Sequence, residues 1–490
     1  MDGPEAHLVG EAGDGTGEAG AGGGHAHEPS GEQARDADEP ARPSARPSVR
    51  ESGRGAGPKS VRGAGRRRRR TAGDLLIVLA GVVVAAVAMS PIVTRWLGNE
   101  PDQRLVDLEV YRDGGRAILR GAPLYDVLTQ PPQLLPFTYP PFAAVLAVPF
   151  TVIPWRAAQL VWTGLICVAL AISVCYAFRD LIRRAGRWAP LAAGVLVGAM
   201  AWLDPVRDQF RFGQVGLFLL AMCLADCCAR TPRWPRGMLV GLALAIKLVP
   251  GVFLIYFLIT GRREALGNTL VTAAAATLGG FALLPSDSSD YWFGALLQGG
   301  DRTGAVDGTT NQAVHGIVAR MLPEGPARTL MWLLLALIVA WYGFAWARRA
   351  SRAAELHDGP ESYSLLLAAV AIVGLLSVVL SPVGWIHHLV WMIAVFGALV
   401  GDARDTRRCL FAFGLWLLFL FPIPWWGRSL IGPEHSAVSV FAGQVVRDLF
   451  GVAALASIVL LGTWLVKRAE PRLRREDPSQ PEVGMGTLSP

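Results

Sequence analysis

Runs of apolar residues about the length of a bilayer crossing, separated by short polar stretches, recur along the chain from Leu75 to Val466. A hydrocarbon core about 30 Å thick takes roughly 20 apolar residues in helical form, so this rhythm predicts membrane-spanning helices. The alternating signature of a membrane β-barrel is absent, which leaves a helical bundle as the way to satisfy the backbone within lipid. Two stretches break the rhythm. Residues Phe142 to Ile153 are too short to cross and predict a half-helix or re-entrant piece. The stretch Gly237 to Thr260 has basic clusters at both ends and KLVPG in its middle, which predicts a shallow helical hairpin returning to the side it left. The expected fold is an all-α integral membrane protein of about ten full spans plus these two irregular elements.

Composition sharpens this reading. With 52% hydrophobic and only 17% charged residues, the chain is too apolar for a soluble domain of ordinary make-up. Residues 1–70 are the exception. Gly, Ala, Pro, Glu and Arg dominate there, with too little apolar surface to repay chain ordering, and the segment ends in RRRRR (Arg66 to Arg70). It reads as a disordered cytoplasmic tail, its arginines set against anionic headgroups. The membrane domain is expected over 71–468, followed by a second disordered cytoplasmic tail over 469–490.

The formal charge of +7 sits mostly in short clusters between apolar blocks, which speaks for membrane orientation and against nucleic acid. RDLIRRAGR, RTPRWPR, GRRE, RRASR, RDTRR and KRAEPRLRRE all become cytoplasmic if both termini are inside. The long polar segments then face outward: residues 98–141, WLDPVRDQFRFGQ, the loop from Pro285 to Pro326, and LSPVGWIHH, with WWGRSLIGPEHS as a smaller patch. Chemistry is therefore expected on the extracytoplasmic face of the plasma membrane. The six cysteines show no paired CxxC spacing and read as packing residues.

The segments DLEVYRDGGRAILRGAPLYD, FTYPPFAAVLAVPF, GQVGLFLLAMCLAD, KLVPGVFLIYFLITGRR, NQAVHGIVAR and LSPVGWIHHLVW, in that order, resemble the successive motifs of glycosyltransferase family 87 over roughly residues 74–466. The resemblance implies a GT-C type multi-span bundle that uses a polyprenyl-phosphate sugar as donor and a mannosylated glycolipid or lipoglycan as acceptor. It also implies inverting transfer of mannose, in an α-1,2 linkage, with Asp107 as general base on the acceptor hydroxyl. Glu109 is the reserve base. A solvated acidic loop is the plainer reading of both. GQVG departs from the GQVN of the family, with Gly216 in place of an amide.

A lipid phosphate as leaving group calls for cations or donors to offset its developing charge. His387 and His388 are candidates, pointing about 100° apart on a helix, so that one faces the site while the other packs. Arg207, Arg211 and Gln214 on the outer bend are further candidates, against ordinary loop charges. Lys247 within an apolar run is either a phosphate contact or a lysine snorkelling to the cytoplasmic headgroups. Asn311, Gln312 and His315, with Tyr111 and Tyr139, are candidates for sugar or acceptor binding; the amides suit helix capping equally. The glycine-rich stretch before Asn311 reads as mobile until substrate enters.

No cofactor and no metal are expected, and no DxD motif in an outer loop, Walker loop or dinucleotide fingerprint points to a nucleotide-sugar donor. Two other readings stay open. One is an arabinofuranosyltransferase using polyprenyl-phosphate arabinose. The other is a lipid or oligosaccharide transporter or flippase, for which mid-membrane charges and inverted repeats are expected.

Overall fold

A computed structural model of the protein describes residues 72–100, 104–297 and 304–469. The tail read over 1–70, residues 470–490 of the second tail, and residues 298–303 of the glycine-rich stretch lie outside the described residues. Among the described residues the chain is helical, with isolated bridges Leu128–Pro136 and Asn311–Trp385 as its only β pairing.

Six helices are long and apolar enough to cross a membrane: Ala72–Gly98, Trp155–Ala177, Arg263–Leu283, Pro326–Leu356, Gly359–Val379 and Leu449–Ala469. Two bent pairs raise the number to eight if each counts as one span. In the first, Gly186–Ala201 meets Asp204–Phe212 at 79°, where Leu203 is extended ahead of Pro205. In the second, Thr406–Leu420 meets Ile423–Ser429 at 50° around Pro422 and Pro424. Proline removes a backbone donor and biases its predecessor away from the helix, so both bends have a local cause.

Of the ten spans expected, the other two correspond to Gly216–Cys228 and to the apolar helix Ile386–Val400, both too short to qualify by length. Ten of the 13 residues of Gly216–Cys228 are buried, so it is apolar because it lies inside the bundle. Apolar composition alone does not distinguish the two situations.

Burial sorts the spans into a centre and a rim. The apolar window of Gly359–Val379 is 89% buried, against 17% for Ala72–Gly98 and 11% for Arg263–Leu283. Exposed Leu75, Val82, Val271 and Leu278 on the rim helices are the side chains that acyl chains would cover.

The two irregular elements take the forms expected, with one correction. Pro141–Ala147 continues as a tight turn through Phe150 and stops. Gly237 to Thr260 is a hairpin of Met238–Ile246 and Val252–Ile259, broken where Lys247 is extended and Pro250 follows. Both of its ends, Arg236 and Gly261–Arg262, line the same cavity.

The buried Asp226 carboxylate anchors that hairpin from the neighbouring helix. It accepts from the backbone N–H groups of Gly237 and Val240, each at 2.9 Å. Gly237 has φ +95°, and a β-carbon there would run into the Ala265 carbonyl. Its tip sets Lys247 against Tyr139 and His388, so the lysine is held by partners within the protein and does not snorkel to the headgroups.

The central helix Gly359–Val379, roughly 30 Å long at about 1.5 Å per residue, joins two chemically different ends. At its start are Arg179, Arg230, Arg236, Arg262 and Arg263, which line one cavity with Gly359. Past its other end, the 381–385 turn is tied to the loop before Val314. There Gln312 N donates to Gly384 O at 2.7 Å and Asn311 Oδ1 accepts from Gly384 N at 2.9 Å.

Candidate active site

Asp107 lies in the first turn of the amphipathic helix Val106–Arg120, which follows the first long helix and belongs to no candidate span. The helix opens at Leu105, fully buried, with φ 50° and ψ 41°. A left-handed conformation is costly for a leucine and persists only where surroundings enforce it. Here burial and a 2.8 Å hydrogen bond from Leu105 N to Arg211 O do so, which fixes the point at which the helix begins and hence the position of Asp107.

The carboxyl of Asp107 is half-buried. Burial pushes its pKa up to about 6, opposed by a hydrogen bond with Gln214 and by the charge of Lys247. Its neighbours were distant in sequence. Tyr111, one turn on along the same face, pairs its hydroxyl with that of Tyr139 at 3.1 Å and donates to Gln214 Oε1 at 3.4 Å. Lys247 Nζ donates to the Tyr139 hydroxyl at 3.4 Å, sits 5.0 Å from its ring centroid, and lies 3.1 Å from His388 Nε2.

Tyr111, Tyr139 and Gln214 are buried, whereas Asp107, Lys247 and His388 are partly open. The buried three form a polar floor, braced by Trp162, whose ring is 5.6 Å from Tyr111 and whose Nε1 donates to Gly213 O at 2.8 Å. Above it stand one carboxylate, one ammonium and one imidazole. Such a set can take a proton at one edge and receive an anion at the other.

The two rings of the histidine pair have different surroundings. His388 faces Lys247, while the ring of His387 packs edge-on against His388 at 4.6 Å and against Phe212 at 5.7 Å. His387 Nε2 is buried without a hydrogen-bond partner among the described residues. Its carbonyl accepts from Gln209 Nε2 at 2.6 Å, and Gln209 Oε1 accepts from Leu217 N at 3.2 Å. Gly216 is what leaves room for that amide: a β-carbon there would stand 2.7 Å from Gln209 Nε2. The departure of GQVG from the family pattern is thus matched to the side chain that fills the space.

Other candidates are not brought into the cluster. Glu109 is turned the other way along its helix, receives a backbone hydrogen bond from Gln130, and is raised by burial and by Asp113. Arg207 pairs with Asp204 at 2.7 Å and donates to Leu420 O at 3.1 Å. Arg211 lies over Trp96 at 5.3 Å and Phe212 at 4.9 Å.

Asn311 and Gln312 are fully buried and their amides are taken up by the backbone. Asn311 Nδ2 donates to Val306 O at 2.8 Å, and Gln312 bridges Thr309 O, Arg447 O and Gly451 N. Their place is in holding the loop to the 381–385 turn, so the capping-type alternative describes them better than sugar binding. His315 stacks on Trp332 at 4.3 Å and has Nδ1 3.2 Å from Pro382 O.

Sequence reasoning passed over Gln209, Trp162, Asp208 and Asp226. Asp208 is set among Asp204, Arg207 and Arg211 on one short helix, and the spacing of DPVRDQFR carries that signal. For Gln209, Trp162 and Asp226 no local pattern marks the role.

The sequence profile described as Glycosyltransferase family 87 matches residues 137–382. The chain is 36% identical over 410 residues to the polyprenol-phosphate-mannose-dependent alpha-(1-2)-phosphatidylinositol mannoside mannosyltransferase of Mycolicibacterium smegmatis, covering 79% of this chain and 88% of that protein. It is 35% identical over 423 residues to the protein of the same description from Mycobacterium tuberculosis, covering 82% of this chain and 93% of the relative. To a pentamannoside mannosyltransferase of Mycobacterium tuberculosis it is 30% identical over 369 residues, covering 73% and 79% respectively. No solved structure matches. With a family profile over half its length and relatives covering four-fifths of it, the chain belongs to glycosyltransferase family 87.

Proposed function

We propose that this multi-pass membrane glycosyltransferase moves mannose from a polyprenyl-phosphate-mannose donor to a phosphatidylinositol mannoside, forming an α-1,2 linkage on the extracytoplasmic face. The observation that carries the reading is the partly open trio of Asp107, Lys247 and His388 above the buried Tyr111, Tyr139 and Gln214. The relatives' names supply donor, acceptor and linkage.

In the reaction, Asp107 takes the proton of the acceptor hydroxyl while that oxygen forms its bond to the anomeric carbon. The bond from the anomeric carbon to the phosphate oxygen breaks, and its electron pair leaves on the phosphate. Lys247, with His388 beside it, offsets the charge that gathers there. A single displacement inverts the centre, so a β-linked donor gives an α-linked product. Because the protein's own cation stands at the leaving group, the step runs without a metal, and EDTA is expected to leave turnover unchanged.

Orientation rests on charge. The arginine-lined end opposite Asp107 is the one the positive-inside rule assigns to the cytoplasm. Purified protein supplied with radiolabelled polyprenyl-phosphate mannose and a panel of phosphatidylinositol mannosides tests the whole reading, with linkage read by α-1,2-mannosidase digestion. Transfer from polyprenyl-phosphate arabinose instead, or none to any mannoside, would sink it.

A further inference from the structure

At the end of the bundle away from Asp107 lies a cavity of about 740 Å³ that the transfer reaction does not use. Five arginines line it, Arg179, Arg230, Arg236, Arg262 and Arg263, against two acids, Glu264 and Asp358. Three of the five are held in place. Arg179 pairs with Asp180 at 3.0 Å and lies over the Tyr363 ring, Arg236 donates to Ala229 O at 2.6 Å, and Arg262 donates to Ser351 Oγ at 3.0 Å.

Arg230 and Arg263 are different. Both are exposed, and neither has an ion pair or hydrogen bond from its side chain among the described residues. Arg230 also lines an adjoining cavity of about 350 Å³ with Arg183, Arg184 and Arg404 and the acids Asp180 and Asp402.

Topology alone does not account for this arrangement. Charges that merely mark a membrane face need not gather at one place, whereas these converge on one concavity. Two long helices, Arg263–Leu283 and Gly359–Val379, also begin at its wall with no side-chain cap at either start. Their N-terminal dipoles add to the same sign, with Glu264 and Glu361 in the two first turns. A planar guanidinium matches phosphate oxygens in pairs. The wall formed by Arg263–Leu283 belongs to a helix whose apolar window is only 11% buried, so the cavity opens beside a lipid-facing surface.

We propose that this cavity binds a phosphate ester, with Arg230 and Arg263 as its free ligating cations and Arg179, Arg236 and Arg262 as its fixed frame. The phosphate is carried either by an anionic phospholipid headgroup or by a soluble phosphate ester, and the test separates the sources.

The full-length protein and its Arg230→Gln/Arg263→Gln variant are purified in mild detergent and offered phosphatidylglycerol, phosphatidylcholine or glycerol 3-phosphate. Bound molecules are weighed by native mass spectrometry, and the thermal midpoint is followed in parallel. The expected result is a phosphatidylglycerol adduct on the wild type, weakened roughly tenfold or more by the double substitution, with little phosphatidylcholine bound. Glycerol 3-phosphate binding in place of the lipid, with the same loss in the variant, supports the site and assigns it to soluble esters. Equal retention by wild type and variant, or no binding of either phosphate compound, overturns the proposal. Both arginines are exposed and unpartnered, so the variant is expected to keep the wild-type midpoint without ligand; a folded variant with unchanged binding remains decisive.

Discussion

As the proposed base, Asp107 joins two demands that pull against each other, a group that must be ionised and a setting that resists ionisation. With its pKa pushed up to about 6 by burial, kcat/KM is expected to rise about tenfold per pH unit below that value and level off above it. A profile flat from pH 5 to 8 would remove the carboxylate as base. The same shift bears on stability. The folded state holds this proton more tightly than the unfolded chain does, so the stability it contributes is present in acid and lost as pH rises through about 6. Asp107→Asn is therefore expected to lower transfer by roughly 10² to 10⁴ at pH 7.5 with no fall in thermal midpoint; a fall in both would mark a structural anchor instead. Tyr139→Phe takes away the hydroxyl that links Lys247 to Tyr111 and is expected to raise the donor KM more than it lowers kcat. The candidacy of Asp107, Gln214, Lys247 and His388 could be drawn from residue type and the family motifs. Their meeting could not, since Tyr139 and Lys247 are 108 residues apart and Lys247 and His388 are 141 apart.

Among the elements, the re-entrant hairpin shows what sequence pattern does and does not contain. Basic residues at both ends and a proline in the middle mark the turn-back. Its depth depends on Tyr139 and His388 receiving the lysine, and no local window holds that information. The anchor is equally hidden, because Asp226 in CLADCC looks like any acid at the end of a helix. Removing it as Asp226→Ala leaves the N–H groups of Gly237 and Val240 without their acceptor and is expected to cost about 2 kcal/mol. A lower thermal midpoint together with reduced transfer checks this; an unchanged midpoint counts against Asp226 as anchor. Gly216→Asn, which restores the family's amide, is expected to displace Gln209 and lower activity in this chain. Span counting meets a related limit, with six to eight helices long enough to cross where the sequence predicts about ten. The helices Gly216–Cys228 and Ile386–Val400 are apolar by virtue of protein burial, and hydropathy cannot tell protein from lipid as the surrounding medium.

Along the central helix of the described residues, an arginine-lined cavity lies at one end and the Asp107 cleft at the other. In sealed vesicles, single cysteines placed at Arg120 and at Arg404 in an otherwise cysteine-free protein are expected to react with impermeant maleimide from opposite sides. Labelling of both from one side would invalidate the topology. The basic clusters between apolar blocks are legible in the sequence, whereas the concavity that gathers five arginines depends on tertiary packing. In the proposed reaction two lipid substrates meet at the cleft, where the charge of Lys247 bears on Asp107. A donor phosphate that claims the lysine withdraws the positive charge holding the carboxylate's proton affinity down. Asp107 then becomes the stronger base only once the sugar has docked, so the acid limb of kcat should lie above that of kcat/KM. On the proposed mechanism the docked donor thus sharpens the base that its own transfer requires.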